Sequence, residues 1–252
     1  MNYAQDYLDD ILVRIAYHSS GIEGNTISLP ETVSIILEST LPRNGKSIRE
    51  FYEIENHKQA FSYLLNSLAN HQALTVGLVQ DFHALLVDRL QHDRGQFKQV
   101  QNAIIGVEFQ TASPAETPYL MTQWADNTAY RLNHAQNEKE ILEILADTHI
   151  QIEGIHPFSD GNGRTGRLLL MYLAMKYLNA PIIVSKDSRA HYMELLANQD
   201  VTGLADLFKE SLGLRNNTEG TVLGRKKANF PSVEIFRYSK IFKKQTKKID
   251  KN

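Results

Sequence analysis

His156-Pro157-Phe158-Ser159-Asp160-Gly161-Asn162-Gly163-Arg164-Thr165-Gly166-Arg167 is the stretch on which the reading of this chain turns. Before it, Ile141, Leu145, Thr148 and Ile152 recur at steps of three and four. After it, Leu168, Leu169, Tyr172, Leu173 and Lys176 continue the same period, ending near Asn179-Ala-Pro181. The twelve residues are therefore a loop that opens a helix. A helix start offers unpaired backbone N–H groups and the positive end of the dipole, which together favour an anion. Gly161 and Gly163 let the backbone approach a phosphate closely and form a nest of donors. Arg164 and Arg167, three apart, can clamp further phosphate oxygens from the first turns. Asp160 supplies a hard oxygen ligand for the Mg²⁺ that a polyphosphate brings. His156 is a titratable base near neutral pH. Phe158, an aromatic among polar loop residues, is expected to pack inward and pin the loop. A base, a metal ligand and an anion cradle this close together describe transfer of part of a nucleotide.

Two rival patterns are rejected on their mechanics. Gly161-Asn-Gly163-Arg-Thr-Gly166 satisfies G-x-G-x-x-G, but that pattern binds a dinucleotide only after a strand, and here a helix and His-Pro-Phe precede it. A Walker loop requires a lysine after its last glycine, and none stands there.

Working outward, most of the chain reads as helix. Tyr7, Ile11, Ile15 and His18 share a face, as do Ile54, His57, Phe61 and Leu64/Leu65, and Leu78, Phe82, Leu85/Leu86 and Arg89. Further helices are expected from Ser188 to Asn198 and from Leu204 to Leu212. Between Gln99 and Pro118, Ile105, Val107 and Phe109 alternate and Ser113-Pro114 punctuates, which predicts a short β-hairpin. The fold expected is mainly α, a single helical domain over residues 1–213 with one hairpin set into it. The 252 residues suit one large domain with a sizeable core, and 42% hydrophobic with 22% charged residues is ordinary for a globular protein.

The chain has no cysteine, which excludes disulfides, thiolate zinc sites and cysteine nucleophiles and fits a reducing compartment. The longest strongly apolar run, Leu168 to Met175, is eight residues, too short to span a bilayer. Asp6, Asp9 and Asp10 stand where a signal peptide would carry lysines. A cytoplasmic location without a membrane partner is expected. Residues 1–213 hold 16 Lys and Arg against 26 Asp and Glu, while residues 214–252 hold 11 against 3. The acidic body argues against nucleic acid as a partner, and the basic C-terminal extension reads first as a solvated helical face.

The stretch from His156 to Arg167 fills every fixed position of the Fic-domain signature, H-x-F-x-[DE]-G-N-G-R-x-x-R, and the chain resembles that family. Ser19-Ser-Gly-Ile-Glu23-Gly24 is similar to the family's inhibitory motif, [ST]-x-x-x-E-[GN]. Glu55-Asn56 with Ala60, Gly95-Gln-Phe97, and Tyr192 with Leu195 extend the likeness over most of residues 7–212. The resemblance implies transfer of AMP from ATP, with Mg²⁺, to a Tyr, Thr or Ser hydroxyl of a target protein and possible self-modification. His156 would be the base and Asp160 the metal ligand. The N–H groups of Gly161 to Arg164, with the Asn162 side chain, would hold the α- and β-phosphates. Arg164 would hold leaving phosphates, Arg167 the γ-phosphate, and Thr165 and Gly166 complete the nucleotide loop. The hairpin would be the family's target-aligning flap, with Ile105 and Gly106 bordering the nucleotide. His191, Tyr192 and Asn198 would line the adenine and ribose pocket. Glu23 would pair with Arg167 and occupy the γ-phosphate position, making inhibition intramolecular, and a homodimer through the helical core is open. Gly161, unchanged, favours AMP over other transferred groups.

Two other functions stay open at this point. Glu23 could align a water for the reverse, AMP-removing hydrolysis. The lysines of the C-terminal extension (Lys240, Lys243, Lys244, Lys247, Lys248) could serve a binding adaptor, although some forty residues are too few for a winged helix.

Overall fold

A computed structural model of the chain describes residues 3–42, 45–102 and 111–217, the last five as backbone alone. Ten α-helices run in order among the described residues. They are α1 (Gln5–Ile22), α2 (Leu29–Val33), α3 (Ile48–Glu55), α4 (His57–Ala69), α5 (Val76–Leu86), α6 (Thr117–His134), α7 (Glu138–Ile155), α8 (Asn162–Tyr177), α9 (Arg189–Ala197) and α10 (Val201–Asn217). A π-helical turn, Ser34–Glu38, follows α2 directly, and a 3₁₀ turn, Lys186–Ser188, leads into α9.

α8 is the axis of the molecule. It packs against α7, α5, α4 and α1, and its residues from Arg164 to Met175 are all buried. A helix apolar on every side has to be surrounded, and the run from Leu168 to Met175 meets that condition. α7 lies antiparallel beside it, flanked in turn by α6 and α10. The Asn137 side chain caps α7 by accepting the Glu140 N–H at 3.0 Å, with Glu138 and Glu140 favourably placed against the dipole. At the other end, His156 adopts φ 50° and Pro157 follows, so the helix stops there and the signature loop begins.

The helical expectations need four corrections. The face from Ile54 to Leu65 belongs to two helices that bend at Asn56, whose amide donates to Leu86 O at 2.9 Å and Asp88 O at 2.8 Å. α5 ends at Leu86, and Arg89, at φ 61°, lies beyond it. α10 starts earlier and runs five residues further than expected, past residue 213. α6 begins inside the interval read as a hairpin, because Pro118 sits in its first turn, where proline favours a helix start. The hairpin residues Ile105, Val107 and Phe109, with Gly106, lie outside the described residues, as does the extension after Asn217. Among the described residues there is no strand, and no helix is long and apolar enough to cross a membrane.

Candidate active site

The signature loop is built from the inside out. Phe158 is fully buried and stacks on His83, ring centroids 3.7 Å apart and 4° from parallel. His83 Nδ1 accepts the Gly95 N–H at 2.9 Å, so its proton sits on Nε2, which donates to Asp160 O at 3.0 Å. Burial holds His83 down to about 4, so it remains neutral as that geometry requires. Asn162 clamps the same turn: its Oδ1 accepts the Phe158 N–H and its Nδ2 donates to Phe158 O, both at 2.8 Å. That side chain was expected in the anion cradle. Each end of its amide makes one bond to the loop, and Asn162 also lines the cavity described below.

Gly161 caps α8 at φ 78°, and a Cβ there would lie 2.7 Å from Val87 Cγ1. Only glycine fits, and the turn it makes aims the first N–H groups of α8 into a cavity of about 210 Å³. The cavity is lined by Glu23, Arg49, Glu53, His156, Asp160 and residues 161–164.

His156 reaches this cavity from the end of α7. Its Nδ1 lies 3.3 Å from Glu153 O, a carbonyl that can only accept, so Nδ1 carries the proton and Nε2 is the basic atom. Burial lowers its pKa, which leaves it neutral and able to take a proton at pH 7. Asp160 is half exposed. Burial alone would raise its carboxyl, but the Arg49 guanidinium, the nearby Arg164 charge and the Gly161 N–H hold it below its usual value. Arg164 is buried, its Nη2 4.0 Å from Asp160 Oδ1, and its Nε and Nη1 have no protein partner. Arg164 also lines the cavity, and its charge beside the helix N-terminus favours an anion there.

Arg167 is buried one turn further along α8 and is held by α1. Its Nε donates to Ser19 Oγ at 3.0 Å, and its Nη2 donates to Ser19 O at 2.9 Å and to Glu23 Oε1 at 2.6 Å. Gly24, at φ 94°, ends α1 and leaves Glu23 facing α8. The Glu23 carboxylate then rests on Gly163, so close that a Cβ there would collide with it. A carboxylate thus stands where the α8 N-terminus favours an anion. Burial raises the Glu23 pKa, but the charge and hydrogen bond of Arg167 outweigh it and the carboxyl stays below its ordinary value.

Thr165 and Gly166 lie in the buried side of α8, Thr165 bonding back to Gly161 O at 2.8 Å, and neither lines the cavity. The residues expected to line a base pocket are not brought to the cavity. His191 is exposed and lies 3.8 Å from Glu194, and Asn198 is the exposed C-cap of α9. Tyr192 is fully buried with its hydroxyl 2.6 Å from His149 Nε2, facing the Arg167 guanidinium from the protein side.

Sequence reasoning missed several residues that shape the site. Arg49 and Glu53 form its far wall. Lys98, buried, donates to Ile155 O at 3.1 Å and Asn102 Oδ1 at 2.8 Å, and Asn102 donates to His156 O and Phe158 O. Glu153 is buried under Gly166 with Oε1 unpartnered. No motif marks these residues, because each matters only through contact with the loop.

Among the described residues no group of three His, Asp or Glu could hold a metal by itself. Asp160 is one accessible carboxylate beside an anion cradle. That donor set suits Mg²⁺, which binds through one or two carboxylates with phosphate and water oxygens completing the shell.

Residues 73–174 match the Fic/DOC family model. The chain is 33% identical over 207 residues to a protein adenylyltransferase Fic of Drosophila grimshawi, covering 79% of this chain and 41% of that protein. It is 34% identical over 185 residues to the protein of the same name from Aedes aegypti, covering 71% and 35%. The chain therefore spans about two fifths of the length of these curated relatives. A Fic domain containing signaling protein from Bacteroides thetaiotaomicron shares the fold at a TM-score of 0.70 and 21% identity, covering 86% and 87% of the two chains. Fic-1 from Caenorhabditis elegans matches at 0.64 and 25%, covering 86% and 65%.

Proposed function

The chain belongs to the Fic/DOC family, and we propose from that membership and from the cavity that it transfers AMP from ATP to a hydroxyl side chain of a protein. One observation carries the reading: the basic Nε2 of His156 and the N-terminus of α8 open into the same cavity, so a base and an anion cradle can act on one reacting phosphate. His156 Nε2 takes the proton of the incoming Tyr, Thr or Ser hydroxyl. The hydroxyl oxygen bonds to the α-phosphorus as the bond to the leaving oxygen breaks, and pyrophosphate departs. The N–H groups of Asn162, Gly163 and Arg164, with the Arg164 guanidinium, stabilise charge on the phosphate oxygens. Asp160 would hold the Mg²⁺ that enters with ATP, which would supply charge neutralisation at the leaving pyrophosphate.

Autoinhibition by Glu23 is part of the same proposal. The Glu23–Arg167 pair supports it, because an arginine engaged by a carboxylate at 2.6 Å is not free for a γ-phosphate. Ser19 positions Arg167 for the pair, and Gly24 positions Glu23. Residues 1–213 would form the catalytic unit and residues 214–252 an extension, acting in the cytoplasm on a target that can include the protein itself. Incubation with Mg²⁺ and ATP labelled at the α- or the γ-phosphate tests the reading. Label from the α-position alone is expected on protein, whereas γ-label on protein, or none from either position even with Glu23→Gly, refutes it.

A further inference from the structure

Asp160 already has a cation on it, one that no sequence motif marks. Of its two oxygens, Oδ1 accepts the Gly161 N–H at 2.6 Å, and Oδ2 accepts Arg49 Nη2 at 2.7 Å. Arg49 lies in the first turn of α3, across the cavity from the signature loop. Its guanidinium bridges the two walls at the oxygen that the loop backbone does not engage. We propose that Arg49 is the resident cation of Asp160 and competes there with the divalent cation that enters with the nucleotide. This rests on reading Asp160 as the metal-holding carboxylate.

Three features support a displaceable cation over a fixed strut. Both side chains are about half exposed, 53% for Arg49 and 49% for Asp160, so water screens the pair and it can open at little cost. Arg49 also has a second anchor, since its Nε donates to Glu53 Oε1 at 3.1 Å. Glu53 is itself fixed, because Asn25 Nδ2 donates to its Oε2 at 2.9 Å. When Asp160 takes another cation, Arg49 keeps a carboxylate and no charge is stranded. Finally, Oδ1 is engaged by the Gly161 N–H, so Mg²⁺ and the guanidinium would meet as two like charges on one small carboxylate, and binding of one weakens binding of the other.

The test is a Mg²⁺ titration of nucleotide binding, followed by fluorescence of a labelled, non-hydrolysable ATP analogue on the full chain. Removing the competitor in Arg49→Ala is expected to lower the Mg²⁺ midpoint two- to fivefold, with affinity at saturating Mg²⁺ unchanged within twofold. Fivefold corresponds to about 1 kcal/mol, the upper end for a half-exposed pair. Arg49→Gln should match it, and Arg49→Lys should lie between them and the parent. In an Asp160→Asn background, Arg49→Ala should no longer move the midpoint, since the contact is already gone. An unchanged midpoint in both neutral variants, with native circular dichroism, overturns the proposal. So does weaker nucleotide binding at saturating Mg²⁺, which would make Arg49 a phosphate ligand. If Asp160→Asn alone leaves the midpoint of the parent unmoved, the metal assignment fails and the competition falls with it.

Discussion

His156 combines two features at one residue: a left-handed backbone at φ 50°, which ends α7, and a ring whose Nδ1 proton faces the carbonyl of Glu153. The first turns the ring toward the cavity and the second leaves Nε2 as its unprotonated, basic nitrogen. In the proposed mechanism it acts as the base and holds no phosphate, so His156→Ala should abolish AMP transfer, by about 10²–10⁴-fold or more, while nucleotide binding measured by calorimetry stays within a few-fold. Transfer within twofold of the parent would remove the base assignment. Glu23→Gly frees Arg167, and AMP incorporation from α-labelled ATP should rise more than tenfold, since a largely buried charge pair can be worth more than about 1.4 kcal/mol. Arg167→Ala should show no such activation if, as proposed, the same arginine seats ATP. Equal incorporation by parent and Glu23→Gly would reduce residues 19–24 to a helix terminus.

At the scale of elements, the site depends on how α8 begins. Gly161→Ala asks an alanine to hold φ 78° with its Cβ against Val87 and the His83 ring. The turn should open, lowering the unfolding free energy by about 1–3 kcal/mol and weakening nucleotide binding together with it. A thermal melt within 1 °C of the parent, with binding intact (roughly the shift expected below 0.5 kcal/mol), would mean the cap is not strained. This element was legible in the sequence, because the glycines, the preceding proline and the apolar run after them all describe one loop-to-helix start. α6 was less so. Its buried residues Met121, Trp124, Ala125, Thr128 and Leu132 keep helical spacing, but polar residues dilute the stripe and the preceding Ser-Pro reads as a turn. The bend at Asn56 left no trace in hydrophobic period, since it is set by a side-chain amide reaching carbonyls some thirty residues away. Arg49, Lys98, Asn102 and His83 were illegible for the same reason: their partners in the loop are distant in sequence, and nothing local announces the pairing.

For the molecule as a whole, the buried ionisable groups set how stability follows pH, and they pull in opposite directions. His18 and His83 are held to about 4 and His57 and His149 to about 3, chiefly by burial. Each is neutral in the fold but takes a proton when unfolded below about 6.5, so these four lower stability as pH falls from 6.5 toward 4. Glu153 does the reverse. Its carboxyl, beneath Gly166 and 3.9 Å from the neutral His149 ring, is raised by burial to about 7, with Arg167 lowering it and Glu23 raising it. The unfolded chain loses that proton near 4.5, so the protein is favoured by Glu153 below 4.5 and loses that advantage as pH rises from 4.5 to 7. Glu153→Gln carries no titratable proton and keeps the shape of the side chain. Relative to the parent, it should therefore gain about 3 kcal/mol between pH 4.5 and pH 8, because each tenfold difference in proton affinity between folded and unfolded chain is worth about 1.4 kcal/mol. For a chain of this size that is several degrees in Tm, read from the difference between the two proteins, so that the histidine contribution cancels. The absolute Tm of the variant also contains the fit of its amide beside His149, which does not change with pH. A parent–variant difference that is flat from pH 4.5 to pH 8 would place the Glu153 ionisation outside that window, as happens if the neighbouring Arg167 charge holds it ionised throughout.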